Sequence, residues 1–412
     1  MTDGQVPGHE ERAERLFMLA DVEAGLGNVN AALAEAKHAV AVSLKSGDAP
    51  LAIRSLARQA QMLIVLEQCR RARNTARRVL ALAREVKDKS GIALGCYIMG
   101  QVEFHSGHLD AAREFYRECL RRARASGIRE GEASVLHQLG VISFLRREYG
   151  VAQRYLNQSL PLFVELGQTE PAARSRYQLG MVNRDRGRYA RAEEDFKGAL
   201  ELARQAQSTI VIGQCLQATG DVCLAQGNIA AARSALDECI KLRRDSEDRP
   251  SLANSLNTCS QIAVAEGRLE EAKRLLEECT ALCREQRLDG ILTDALLGMA
   301  LIHQLEGDRV RASATIQDSI AVAETARNPT KVATAHMVAS GLAETDGRHE
   351  DALRHLLVAA GLSRLTDPTL AETVIVKLIL AEHRLPKAVV TRLYQEYGAA
   401  PRHAKRKTRP SK

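Results

Sequence analysis

Small and apolar residues return along this chain every 40 positions, with no insertion or deletion between residues 27 and 347. Steps of 40 from Gly27 reach Glu67, Gly107, Arg147, Gly187, Gly227, Gly267, Gly307 and Gly347, so seven of nine positions are glycine. Five residues later all nine positions are alanine: Ala32, Ala72, Ala112, Ala152, Ala192, Ala232, Ala272, Ala312 and Ala352. Seven residues earlier all nine are small: Ala20, Ala60, Gly100, Gly140, Gly180, Gly220, Ser260, Ala300 and Ser340. Nine residues past the turn the positions are mostly large and apolar, among them Tyr116, Leu156, Phe196, Leu236 and Leu276, and four residues further on lie Leu120, Leu160, Leu200 and Ile240. That i, i+4 spacing marks one face of a helix. A small residue on one helix and an alanine on the next let two backbones approach closely. A glycine between them takes a positive φ and closes the first helix. The pattern predicts an all-α chain of nine helical hairpins.

The register decays after Gly361, where Lys387 and Arg392 occupy the glycine and alanine phases. Residues Leu370 to Glu382 and Pro386 to Tyr397 still read as two helices, with Pro386 in a first turn. They are expected to cap the last repeat, which has only one neighbour. The expected organisation is a disordered segment at 1–8, repeats at 9–366 forming one cooperative array, a degenerate capping pair at 367–398 and a disordered basic tail at 399–412.

The run YQLGMVNRDRGRYARAEEDF, from Tyr177 to Phe196, carries the small residue, glycine, alanine and large apolar residue in order. It resembles the tetratricopeptide repeat, and the resemblance extends over about residues 10 to 365. HEAT and armadillo arrays share the period without this glycine–alanine spacing, and WD40 strands need period-two alternation. Forty residues exceed the usual ~34 of the family, and the surplus is expected in the helices and inter-repeat turns. Kinesin light chains, the Pins/LGN adaptors and many bacterial signalling proteins have such long repeats. The resemblance implies a right-handed solenoid whose first helices line a concave groove for a peptide or protein partner. Carried over by phase, the groove positions include Arg54, Arg58, Tyr97, Gln101, His137, Arg174, Tyr177, Gln178, Gln214, Gln217, Asn254, Asn257 and Gln261. Amides both donate and accept, so they read an extended backbone without fixing its sequence. Tyrosines serve as amphipathic anchors and arginines as carboxylate partners. The lysine–asparagine arrangement of chaperone-tail clamps is absent from these positions.

Composition narrows the reading. Aromatics are 3 %, tryptophan is absent and ten prolines serve 412 residues, which disfavours sandwiches and propellers. The formal charge is +7, but Arg402, Lys405, Arg406, Lys407, Arg409 and Lys412 supply six of those charges. Residues 67–130 carry 14 basic and 8 acidic groups, with Arg70, Arg71, Arg73, Arg77, Arg78 and Arg84 in the second repeat and Arg113, Arg117, Arg121, Arg122 and Arg124 in the third. This clustering allows contact with nucleic acid or an anionic surface, although a solvated outer face is the favoured reading. No aromatics interleave to stack bases. Nine cysteines form no C-x-x-C pair and no zinc spacing, as expected of small buried thiols in a reducing cytoplasm. Neither metal nor cofactor is expected. No nucleotide loop, nucleophile elbow or metalloprotease motif occurs, and His105 and His108 merely flank a turn glycine. No apolar run approaches the roughly 20 residues of a membrane span, and no leader is evident. The expected function is a non-enzymatic adaptor in the cytoplasm, with a ligand-responsive regulatory module as the alternative.

Overall fold

The computed structural model describes residues 9–246 and 248–397. The expected disordered start at 1–8 and the basic residues Arg402, Lys405, Arg406, Lys407 and Arg409 lie outside the described residues. Among the described residues there are twenty helices and no strand. They group into two compact units, Met1–Cys215 and Leu216–Lys412.

The amino-terminal unit contains α1 (His9–Gly25), α2 (Val29–Ser46), α3 (Ala49–Val65), α4 (Cys69–Glu85), α5 (Lys89–His105), α6 (Leu109–Ala125), α7 (Arg129–Leu145), α8 (Tyr149–Glu165), α9 (Thr169–Asp185) and α10 (Tyr189–Gln205). Helix α11 (Thr209–Ala225) carries the chain into the carboxyl-terminal unit, which contains α12 (Ile229–Arg244), α13 (Arg249–Ala265), α14 (Leu269–Gln286), α15 (Asp289–Leu305), α16 (Arg309–Thr325), α17 (Pro329–Thr345), α18 (His349–Thr366), α19 (Pro368–His383) and α20 (Lys387–Glu396).

From α3 to α11 each helix has 17 residues and each connection three. The 40-residue period is therefore two nearly equal half-periods. The turns between repeats are as short as those within them, so the expectation of longer inter-repeat turns is corrected: the surplus length lies in the helices. All nine reference positions have positive φ, the glycines between 70° and 82°, Glu67 at 57° and Arg147 at 59°. A second series of positive φ falls twenty residues on, at Gly47, Lys87, Gly127, Gly167, Gln207, Arg287 and Arg327. In each turn two amides close back on the helix end. At Gly107, for example, its own N–H reaches the Phe104 carbonyl at 3.0 Å and that of His108 reaches Glu103 at 2.9 Å. This is the left-handed helix stop that glycine adopts most easily.

Packing within the hairpins follows one size rule. A Cβ added to Gly100 would lie 2.6 Å from the Tyr116 ring, and one on Gly180 2.5 Å from Phe196. Gly140 and Gly220 stand in the same relation to Leu156 and Leu236, at 2.7 Å. The small residue before the turn thus makes room for the large residue nine after it, rather than for the alanine five after it as the pattern implied. The repeat alanines Ala112, Ala192, Ala232 and Ala272 are fully buried.

At the carboxyl end, Val374 and Leu378 of α19 and Val390 and Leu393 of α20 join Leu353, Leu356 and Leu357 of α18 in one buried cluster. The Tyr394 hydroxyl donates to the buried Glu382 carboxylate. Pro386 stands at the N-cap of α20, one position outside the first turn expected for it.

Candidate functional site

In the amino-terminal unit the first ends of α3, α5 and α7 surround a cavity of about 450 Å³. Ile53, Ala93, Leu94, Tyr97 and Ile128 line its walls, with Cys119 and Ala123 of α6 behind them and Arg54, Asp88, Ser90, Glu130 and Ser134 among the polar lining. Gly91 and Gly131 replace side chains on the two flanking helices, and Ala123 ends at its methyl group. Burial pushes the Cys119 thiol up to about 12, so this wall is unreactive.

The carried-over positions in this unit separate into two layers. Ten residues before the turn, side chains lie between successive first helices. Tyr97 packs 5.7 Å from the Tyr116 ring, and burial pushes its hydroxyl up from the ordinary tyrosine range, partly offset by Gln138 of α7 and Gln101. His137 Nδ1 lies 2.9 Å from the Ser175 hydroxyl on α9. Burial, then the positive charge of Arg174, pushes the His137 imidazole down to about 4, so it is neutral near pH 7. The Tyr177 ring lies 5.6 Å from Phe196. Thirteen residues before the turn, side chains reach solvent. Exposed Arg54 lies 4.4 Å over the Phe17 ring and 3.5 Å from Glu14, and exposed Arg174 pairs with Glu170 at 2.8 Å. Arg58 pairs with Asp21 at 2.6 Å, and Gln101, Gln178 and Gln214 are half-buried.

The carboxyl-terminal unit has a different floor. Gln217, Asn257 and Arg243 are all buried. Gln217 Oε1 accepts from Arg243 Nη1 at 3.1 Å and from the Ser255 hydroxyl at 2.7 Å, while its amide donates to Asp221 at 3.0 Å and Thr258 at 3.1 Å. Arg243 also donates to the Ser251 carbonyl at 2.7 Å and to the Ser255 hydroxyl. Gln217 is therefore held in an internal network rather than presented to a ligand, and Asn254 and Gln261 are the exposed amides here. Sequence reading missed Arg243. Its signal was available: sixteen residues after the other turns stand Ser43, Ala83, Ala123, Phe163, Ala203, Cys283, Ala323 and Ser363, all uncharged.

Among the described residues no group of three His, Cys, Asp or Glu side chains is placed to hold a metal ion, and no helix is long and apolar enough to cross a membrane. All nine cysteines are free, eight of them buried and Cys69 half-buried.

Hairpins of this geometry, with their glycine stops and close small-to-large contacts, define a class, and sequence comparison agrees. The chain carries tetratricopeptide repeats. Tetratricopeptide-repeat family models match residues 171–245, 215–285 and 93–126. A model of anaphase-promoting complex subunit 5 matches residues 53–106 and 284–345. No curated protein sequence matches. Among solved structures, the apo form of RapI is 12 % identical with a TM-score of 0.66, over 90 % of this chain and 98 % of that one. The apo form of the quorum sensor NprR from B. thuringiensis is 13 % identical with a TM-score of 0.64, over 83 % and 98 %. A Rap protein complexed with competence and sporulation factor is 14 % identical with a TM-score of 0.53, over 91 % and 98 %. At these identities the likeness is one of fold.

Proposed function

We propose that this chain is a protein-interaction scaffold that takes an extended peptide across the first helices of its amino-terminal unit. One observation carries the reading: the cavity of about 450 Å³ bounded by α3, α5 and α7. Ile53, Ala93, Leu94 and Ile128 offer an apolar seat for one peptide side chain, and burying a side chain of leucine size is worth about 2 kcal/mol. Half-buried Gln101 on α5 and half-buried Gln178 on the further first helix α9 carry amides suited to peptide backbone. The reading is binding rather than conversion, because the thiol on the cavity wall is held protonated and His137 is bound to Ser175. The finer role is that of a regulatory module working in the cytoplasm. It is supported by the similarity of fold to a quorum sensor and to a Rap protein bound to competence and sporulation factor.

The test is selection of a random-peptide display library on the full chain, with a Ser134→Trp variant as counter-selection. Ser134 lines the cavity and is not buried, so the indole closes the mouth without entering the core. Enrichment of peptides sharing one apolar residue, bound by the native chain and released by the variant, is expected. No enrichment, or equal binding by both proteins, overturns the proposal.

A further inference from the structure

The arginines of the second and third repeats stand in different company: α6 carries Asp110, Glu114 and Glu118 three residues before its arginines, whereas α4 carries no acid ahead of its own. On α6 each is neutralised: Arg113 by Asp110 at 3.2 Å, Arg117 by Glu114 at 3.0 Å, Arg122 by Glu118 at 2.6 Å, Arg124 by Glu132 at 2.7 Å, and Arg121 also by Glu118. On α4 only Arg73 finds an acid, Glu103, at 2.7 Å. Among the described residues Arg70, Arg77, Arg78 and Arg84 pair with no carboxylate, and Arg71 bonds only the Gln68 amide oxygen. All five are exposed.

Their register is regular. Arg70, Arg77 and Arg84 are seven apart, as are Arg71 and Arg78, so the guanidinium rungs stand about 10 Å from one another along the helix. Between the rungs lie exposed Asn74 and Ala81. The line Arg70, Asn74, Arg77, Ala81, Arg84 alternates steps of four and three, the seam along which one helix packs on another. Short side chains at Asn74 and Ala81 admit a second backbone, while the arginines reach past it to carboxylates. A single-stranded nucleic acid would want aromatic faces for its bases, and α4 (CRRARNTARRVLALARE) has none. An anionic membrane would want apolar anchors between the cations, and the exposed face offers only Asn74 and Ala81 there.

We infer that the outer face of α4 is a second docking surface, separate from the peptide cavity, whose occupant is an acidic α-helix of a partner protein with carboxylates at seven-residue spacing. Arginine suits this task because its planar fork binds a carboxylate through two parallel hydrogen bonds.

The experiment uses the full chain and two synthetic alanine-rich helical peptides, each about three heptads long. In one the glutamates recur every seven residues along one face. In the other the same glutamates are distributed around the helix. Fluorescence anisotropy at physiological salt is expected to show the first bound about tenfold tighter than the second, in line with several exposed ion pairs acting together. Arg70→Ala, Arg77→Ala and Arg84→Ala combined should abolish that preference, whereas Arg117→Ala with Arg121→Ala should leave it. Ala81→Trp, which changes no charge, should also abolish it by blocking close approach, with circular dichroism confirming that each variant is folded. Equal binding of the two peptides, no binding of either, or indifference to Ala81→Trp overturns the inference. So does tighter capture, with the same arginine dependence, of a DNA duplex or a phosphatidylserine vesicle, which would assign the face to phosphate instead.

Discussion

The junction of the third and fourth repeats and the junction of the sixth and seventh are built on the same phases, three repeats apart, and carry opposite contents. At the first, Tyr97, Ala123 and Gly131 border an open cavity. At the second, the equivalent residues are Gln217, Arg243 and Ser251, and the guanidinium bonds to Gln217, Ser255 and the Ser251 carbonyl. Even the cysteine four residues before this variable position is shared, Cys119 in one and Cys239 in the other. At the position sixteen after the turn, Ala123 borders the cavity of one junction, whereas Arg243 closes the other through hydrogen bonds.

The strongest way to break this comparison is Arg243→Ala. It leaves Gln217 and Ser255 buried without their shared cation, and a loss of about 3–5 kcal/mol from the carboxyl-terminal unit is expected in urea unfolding followed by circular dichroism. A loss below about 1 kcal/mol would mean that the network is incidental.

Acid should loosen both units by related means. His137 in one and His336 in the other are each pushed down to about 4, chiefly by burial. His336 Nδ1 lies 2.9 Å from His355 Nδ1, and Asp351 and Arg348 act on His355 from its own helix and its N-terminal end. Because these pKa values are lowered on folding, the neutral forms contribute stability that is fully present above about pH 6.5 and is lost as pH falls from there toward 4. Each site contributes at most about 3 kcal/mol. Melting temperature against pH should decline through that window, and His137→Gln should flatten the part belonging to the amino-terminal unit.

Gly180→Ala tests the size rule that both units share. The added methyl meets Phe196 and should cost about 1–3 kcal/mol in the same unfolding measurement. Ala300 and Ile316 occupy the equivalent phases of the eighth repeat, so Phe196→Ile beside Gly180→Ala should recover part of the loss, which a double-mutant cycle reads directly.

Ala123→Phe sharpens the comparison from the other side. The fourth repeat already holds buried Phe163 in that phase. Filling the cavity should weaken any peptide selected on the native chain about tenfold while changing stability by less than about 1.5 kcal/mol. The smallest effect belongs to the turns. Glu67→Gly relieves a side chain held at φ 57° and should raise stability by about 0.5–1 kcal/mol, seen as a modest rise in melting temperature.

The hairpins were legible in the chain because glycine stops, buried alanines and the small-to-large pairs are strictly local requirements that recur with the period. Even the size rule leaves a trace, since Ala20 and Ala60 accompany Ala36 and Ala76 whereas Gly100 and Gly180 accompany Tyr116 and Phe196. The second turn series was less legible. Lys87, Gln207, Arg287 and Arg327 take positive φ without being glycine, because the packed helices on either side hold the turn open at modest cost. Of the carried-over ligand positions, phase correctly assigned them to first helices. It did not separate Tyr97, His137 and Gln217, packed or bonded between neighbouring helices, from Arg54, Arg174 and Asn254, which reach solvent.

The sequence by itself determined the repeat, its period, its helices and its likeness to the tetratricopeptide repeat, because each depends on residues within one hairpin. Tertiary structure alone decided that Arg73 pairs with Glu103, that Arg243 is buried, and that Ala123 borders a void. Charge pairing, burial and empty space depend on what faces a side chain across a neighbouring helix. The amide that receives Arg243, and the Glu148 and Glu132 carboxylates that reach Arg113 and Arg124, meet their partners only when the hairpins stack.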